Sequence, residues 1–191
     1  MDVQVDRLDL FPVPILGAQY EHADSLAQTL IPMFHKAEEE DENPPPYSAN
    51  GYTNYHPSKQ VIEWIEVNAL RDFIGQVAME GNKLLGLKSD LTFTGSWFSI
   101  NRKYTYHEMH NHIPSTWSGV YYVQAEEDDA PITFYDINKD TNWPWAGYEE
   151  ANQYNTPSYS VTPKTGRLLI FPSHMRHGVA QQKIDRERIT I

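Results

Sequence analysis

Three histidines fall within six residues in HEMHNHIPSTWSGVYYV, residues 107–123, in a chain that has eight in all. In an extended segment, side chains at i and i+2 point to the same face. His110 and His112 have that spacing at the head of the apolar strand WSGVYYV, so both imidazoles can turn toward one cation at about 2.0–2.2 Å. A third ligand has to arrive from a distant part of the chain. GRLLIFPSHMRHGV offers His174 and His177, and His177, followed by Gly178 and Val179, stands at the entrance to the next extended segment. Imidazole suits iron and zinc alike, so an iron site and a structural or hydrolytic zinc site are both open on these residues. Histidines that merely hydrogen bond at strand ends, with no metal, are the plain alternative.

The elements that must position these side chains change character near residue 91. Before it the pattern is helical. EHADSLAQTLIPMFHKAEEEDEN places Leu26, Leu30, Ile31 and Phe34 at helical spacing, with His22 or Asp24 as cap and Pro32 as a point of interruption. The acidic run Glu38 to Glu42 reads as a solvated face leading into a loop. NPPPYSANGYTNYHPS is turn-rich and reads as a long irregular connection. A second helical stretch opens at Ser58, restarts near Asn68 and ends at Gly86. LDLFPVPILGAQY, at the start, reads as a short extended segment kept at an edge by its prolines.

From residue 91 apolar residues alternate instead. LTFTGSWFSI, TWSGVYYVQA, APITFYDI, PSYSVTP, GRLLIFP and RERITI each read as strands. Helices followed by short strands predict an α+β chain: a β-sandwich or open barrel with helices packed on one side. One domain is expected over 1–191, with 1–90 as mostly helical support and 91–191 as the core carrying the site. The insertion NKDTNWPWAGYEEANQYN brings Trp143, Trp145, Tyr148 and Tyr154 together, as a lid over a substrate or as a small local core.

Bulk properties narrow the partners. At 191 residues, 40% hydrophobic and 21% charged, the chain is long enough for one sizeable core. A net charge of −11 with no run of five basic residues disfavours nucleic acid and other large polyanions. No cysteine is present, which excludes disulfides and thiolate metal sites. The N-terminus, with three aspartates before any apolar run, is not a signal peptide, and the apolar runs are too short to span a bilayer. The expectation is a soluble, cytoplasmic protein with no membrane partner.

In order, the HxH pair, GVYYV, the PITF hairpin, GRLLIFPS and RHGV followed by ERITI resemble the Fe(II)/2-oxoglutarate oxygenases of the prolyl-hydroxylase-like branch. Closest in pattern are small bacterial and phage oxygenases that likewise carry HxH before SGVYY. The resemblance covers roughly residues 91–191. It implies a double-stranded β-helix, or jelly roll, with Fe(II) in its open mouth and 2-oxoglutarate as cosubstrate, decarboxylated to succinate while a substrate C–H bond is hydroxylated or otherwise oxidised. Carried over by position, His110 and His177 are iron ligands, and His112 takes the place usually held by a carboxylate. Asp136 and Glu108 are the alternatives for that place.

Arg188 occupies the position that grips the C5 carboxylate of 2-oxoglutarate, where its planar fork suits the anion; Arg186, offset by two, is its competitor. Tyr122 stands where a hydroxyl helps hold that carboxylate, and Ser99, Asn101 and Trp97 are candidate lining residues. His107 and His174 read as partly exposed histidines outside the metal set, with hydrogen bonding to the ligands or to substrate as the other option. The substrate expected is a small molecule or a peptide side chain. Two other functions compete: a non-catalytic jelly-roll binding module, and a three-histidine cupin-like enzyme that uses no 2-oxoglutarate and needs no Arg188. The family pattern carries the last strand a few residues past Ile191.

Overall fold

The computed structural model describes residues 6, 11–47, 50–56, 60–88, 90–136, 149–150, 152 and 154–191. Helix α1 spans Ala23–Glu39 and runs unbroken through Pro32. Pro32 lies on the exposed side, while Leu30 and Phe34 are fully buried on the other. Their burial offsets the hydrogen bond that the proline cannot make. His22 takes the N-cap position, and Asp24 sits in the first turn, where its charge meets the positive end of the helix dipole. The acidic run after it is only partly solvated. Glu38 receives Arg102 at 2.6 and 2.7 Å, and Asp41 accepts from the Tyr52 hydroxyl at 2.8 Å.

Two short 3-10 turns, Val61–Glu63 and Ile65–Val67, precede helix α2 at Asn68–Leu85, so the restart near Asn68 is seen. Gly86, left-handed at φ 65°, closes α2.

Among the described residues ten strands form two sheets. They are β1 (Leu16–Gln19), β2 (Tyr52–Thr53), β3 (Ser99–Asn101), β4 (His107–His110), β5 (Trp117–Gln124), β6 (Ile132–Tyr135), β7 (Ser158–Val161), β8 (Arg167–Pro172), β9 (Arg176–Val179) and β10 (Arg188–Thr190). The larger sheet has the order β1-β8-β5-β10-β3-β2, and the smaller β4-β9-β6-β7. Every paired strand is antiparallel. The fold class read from the sequence is the fold observed, a double-stranded β-helix backed by two helices.

Alternation along β5 and β8 divides the core in two. Tyr121, Val123, Leu168 and Ile170 join Leu30, Phe34, Leu70 and Phe98 under the helices. Tyr122, Leu169 and Phe171 turn the other way and meet Ile132, Phe134 and Val161 between the sheets. Because both faces are covered, β8 reads as an unbroken apolar run rather than an alternating one.

The expected strand over 91–100 shrinks to Ser99–Asn101. Upstream of it, side chains take the backbone groups that a ladder would use. Asn54 Oδ1 accepts from the Phe98 N–H at 2.7 Å, Gln60 Oε1 accepts from the Ser96 N–H at 2.5 Å, and the Ser96 hydroxyl accepts from the Ile62 N–H at 2.8 Å. Of the four clustered aromatics in the insertion, Trp143, Trp145 and Tyr148 lie outside the described residues, and Tyr154 is exposed.

Candidate metal centre

The smaller sheet builds the site by register. His110 of β4 lies opposite His177 of β9, which lies opposite Phe134 of β6, which lies opposite Tyr159 of β7. Directly opposed residues share a face, so these four side chains form one row on the inner side of the sheet. One level down, His107, Val179, Ile132 and Val161 make a second row.

His107 and His110 are three residues apart, and a regular strand would send them to opposite faces. The register shifts between them, and that bulge turns both inward. Gly178 makes room for it: a Cβ there would stand 3.0 Å from the His107 carbonyl oxygen. His112 follows the end of β4, its N–H donating to the Ser173 carbonyl at 2.9 Å.

The three imidazoles converge. Ring centroids are 4.4 Å apart for His110 and His177, 4.9 Å for His110 and His112, and 5.1 Å for His112 and His177. One nitrogen from each lies within 4.8 Å of the others. His110 Nδ1–H donates to the Glu108 carbonyl at 2.7 Å, and His177 Nδ1–H donates to the Met175 carbonyl at 3.0 Å. Both bonds select the tautomer whose Nε2 lone pair is free.

Burial pulls His177 down to about 4, with His110 and His112 adding to the effect against the Met175 carbonyl. Burial and His110 also hold His112 below its ordinary value. Both rings are thus neutral near pH 7, the form that ligates. Phe171 packs edge-on to His177 at 4.8 Å and Trp97 against His112 at 5.7 Å, which fixes the ring planes. Among the described residues this is the only such grouping. Asp136 and Glu108 are exposed and outside it.

Arg188 of β10 is 2% exposed, and its Nε and Nη1 have no hydrogen-bond partner among the described residues. Its guanidinium carbon stands 5.2 Å from the centre of the Tyr122 ring, and the fully buried Tyr122 hydroxyl is likewise unpartnered. Two donor nitrogens of a buried guanidinium without an acceptor are costly, and an anion arriving from outside would satisfy them. The unpaired guanidinium nitrogens and hydroxyl fit a carboxylate, and three converging imidazoles fit a ferrous ion.

Arg186, the competitor in the sequence, is spent elsewhere. It pairs with Asp128 and, at 2.9 Å, with Asp129. Asn101 and Ser99 are buried on β3. The amide nitrogen of Asn101 donates to the Arg188 carbonyl at 3.3 Å, and the Ser99 hydroxyl donates to Thr53 Oγ1 at 3.3 Å.

His174 is exposed, as expected. His107 is partly exposed, as the sequence suggests, but it is not a lone histidine. It is half-buried, 2.9 Å through Nε2 from Asn101 Oδ1, and in contact with the Tyr47 hydroxyl. Sequence reasoning missed Tyr47 altogether, since a tyrosine in an irregular, proline-rich connection carries no periodic signal.

Fold and site together define a metal-dependent oxygenase scaffold. A family model described as "Putative 2OG-Fe(II) oxygenase" matches residues 95–191. The chain belongs to this family of Fe(II)- and 2-oxoglutarate-dependent oxygenases, and is an enzyme whose cofactors are Fe(II) and the cosubstrate 2-oxoglutarate.

Solved structures share the fold. A Pseudomonas putida prolyl-4-hydroxylase is similar with a TM-score of 0.61 at 15% identity, over 95% of this chain and 91% of that one. HygX from Streptomyces hygroscopicus, with nickel and 2-oxoglutarate bound, gives 0.61 at 10%, over 93% and 80%. A Trichoplax adhaerens prolyl hydroxylase, in complex with a hypoxia inducible factor oxygen degradation domain peptide fragment, gives 0.60 at 11%, over 92% and 81%. Among proteins of curated function, none matches. No helix among the described residues is long and apolar enough to cross a membrane.

Proposed function

We propose that His110, His112 and His177 hold the iron and that Arg188, with Tyr122, anchors the C5 carboxylate of 2-oxoglutarate, for oxidation of a C–H bond on a small molecule or a peptide side chain. The carrying observation is the buried Arg188, whose Nε and Nη1 lack any partner among the described residues. Bound iron, 2-oxoglutarate and O₂ together supply the chemistry: 2-oxoglutarate is oxidised to succinate and CO₂, one oxygen atom enters succinate, and the other enters the substrate as hydroxyl.

The chain's own residues bind and orient. Phe134 and Phe171 wall the inner side of His177 and keep water from its buried edge. His110, the most exposed of the three ligands, faces the mouth. Tyr159, on the inner face two strands from His177, is 67% exposed. A substrate approaching the triad would therefore meet an aromatic ring. Three neutral ligands leave a ferrous site one unit more positive than a set with one carboxylate, which favours the dianionic cosubstrate.

Iron binding by His112→Ala and Asp136→Ala tests the ligand set. His112→Ala is expected to lose iron while Asp136→Ala keeps it; the reverse would overturn the assignment. Anaerobic addition of Fe(II) and 2-oxoglutarate is expected to give a weak visible charge-transfer band, and admitting O₂ to give succinate. Absence of both would overturn the cosubstrate assignment.

A further inference from the structure

Between Arg188 and the imidazole row stands a group that the iron and its cosubstrate do not require by themselves. Tyr47 donates its hydroxyl proton to Asn101 Oδ1 at 2.9 Å and touches His107 Nε2, and His107 Nε2 is 2.9 Å from the same Asn101 oxygen. The Tyr47 and His107 rings meet edge to face at 5.4 Å. Asn101 lies directly opposite Arg188 in the β10–β3 ladder and donates to its carbonyl. His107 sits one level below His110 in the inner rows.

Tyr47 arrives from the connection before β2, far from these strands in sequence. Its ring is accommodated by Gly51, where a Cβ would stand 2.7 Å from two ring carbons. The Arg188 cation acts electrostatically on both Tyr47 and His107, and His110 and His177 act on His107, so the pair lies within range of both.

We propose that Tyr47 is a positioning residue of the cosubstrate site: through Asn101 and His107 it fixes the wall between Arg188 and the imidazole triad, and so sets the length of 2-oxo dicarboxylate that fits. This rests on Arg188 being the carboxylate anchor. The physical reason is that a hydrogen-bonded ring pair cannot recede as a flexible side chain can. With one carboxylate at Arg188 and the keto acid at the iron, a rigid wall alongside favours one methylene count over its neighbours. His107 is suited to the place because both polar contacts fall on Nε2 and hold its ring as a wall, while the metal-type grouping comprises His110, His112 and His177 without it.

The test is calorimetric titration of the Mn(II)-loaded protein, without oxygen, using 2-oxoglutarate, the shorter oxaloacetate and the longer 2-oxoadipate. Tyr47→Phe keeps the ring and loses the hydroxyl. It is expected to weaken 2-oxoglutarate about 5- to 10-fold, as loss of one or two hydrogen bonds in the wall would, and to reduce discrimination against 2-oxoadipate, with the melting temperature nearly unchanged. His107→Leu should do the same, and His107→Gln, whose amide N–H falls near the position of Nε2, should restore discrimination.

Equal weakening of all three acids in Tyr47→Phe, or no weakening, overturns the proposal, as does a His107→Gln that discriminates no better than His107→Leu. Arg188→Met separates the underlying reading. It should lose affinity for all three dicarboxylates, and if it binds them like the wild type, the anchor assignment itself falls.

Discussion

The two faces of the six-stranded sheet are built to opposite ends. Toward the helices, apolar side chains meet with few polar demands: Phe34 stacks on Phe98 at 4.0 Å, and Leu30, Val61, Val67 and Leu70 are fully buried around them. Toward the smaller sheet, the same strands present Arg188 and Tyr122 with buried polar atoms left unsatisfied. One face carries the stability, and the other holds an unpaired buried cation in reserve for a ligand. Adjacent residues show the division in packing, for Tyr121 enters the helix-side cluster and Tyr122 the inner one, each with a buried hydroxyl that has no partner among the described residues.

Substitutions on the two faces should separate stability from function. Phe98→Ala, on the helix side, is expected to cost about 3–5 kcal/mol of folding stability, measured by urea denaturation, while iron affinity of the folded protein is unchanged. Arg188→Met, on the inner side, should do the reverse. Replacing an unpaired buried cation with an apolar side chain of similar length is expected to stabilise the metal-free protein, by about 1–4 kcal/mol if it follows other buried-charge replacements, while succinate production is lost. If Arg188→Met were destabilising, the guanidinium would have to be satisfied within the chain.

A smaller effect separates the faces by pH. Burial first, then the Arg188 charge and the nearby histidines, pull His107 down to about 3. The unfolded chain therefore binds the proton more readily between about pH 6.5 and pH 3. His107 contributes stability that is complete above pH 6.5 and is lost as pH falls through that window. The melting temperature of the metal-free protein should fall on acidification, and His107→Gln should flatten the slope. The smallest effect is expected at Arg186→Gln. Its guanidinium is taken up by Asp128 and Asp129, so cosubstrate affinity and succinate output should stay at the wild-type level.

The same contrast explains what could be read from the sequence. Strands β5 and β8 were legible because period-2 alternation, or an unbroken run where both faces are covered, is a local property. The HxH spacing was legible for the same reason, while the distant His177 and Arg188 were reached through the ordered motifs around them. The role of His107 was not, because the bulge that turns it inward is a matter of pairing with β9 and of the room at Gly178. Tyr47 was invisible because only the folded chain brings it to Asn101. Residues 91–98 look like a strand in isolation, but Asn54, Gln60 and Ser96 take up the backbone groups that a ladder would use.

The most direct measurement is a crystal structure grown without oxygen with Mn(II) and 2-oxoglutarate, with the metal located by its anomalous scattering. The expected result is one strong peak within bonding distance of imidazole nitrogens of His110, His112 and His177, and a carboxylate of the cosubstrate on Arg188 Nε and Nη1. A peak coordinated by Asp136 in place of His112, or a cosubstrate whose far carboxylate lies away from Arg188, would contradict it.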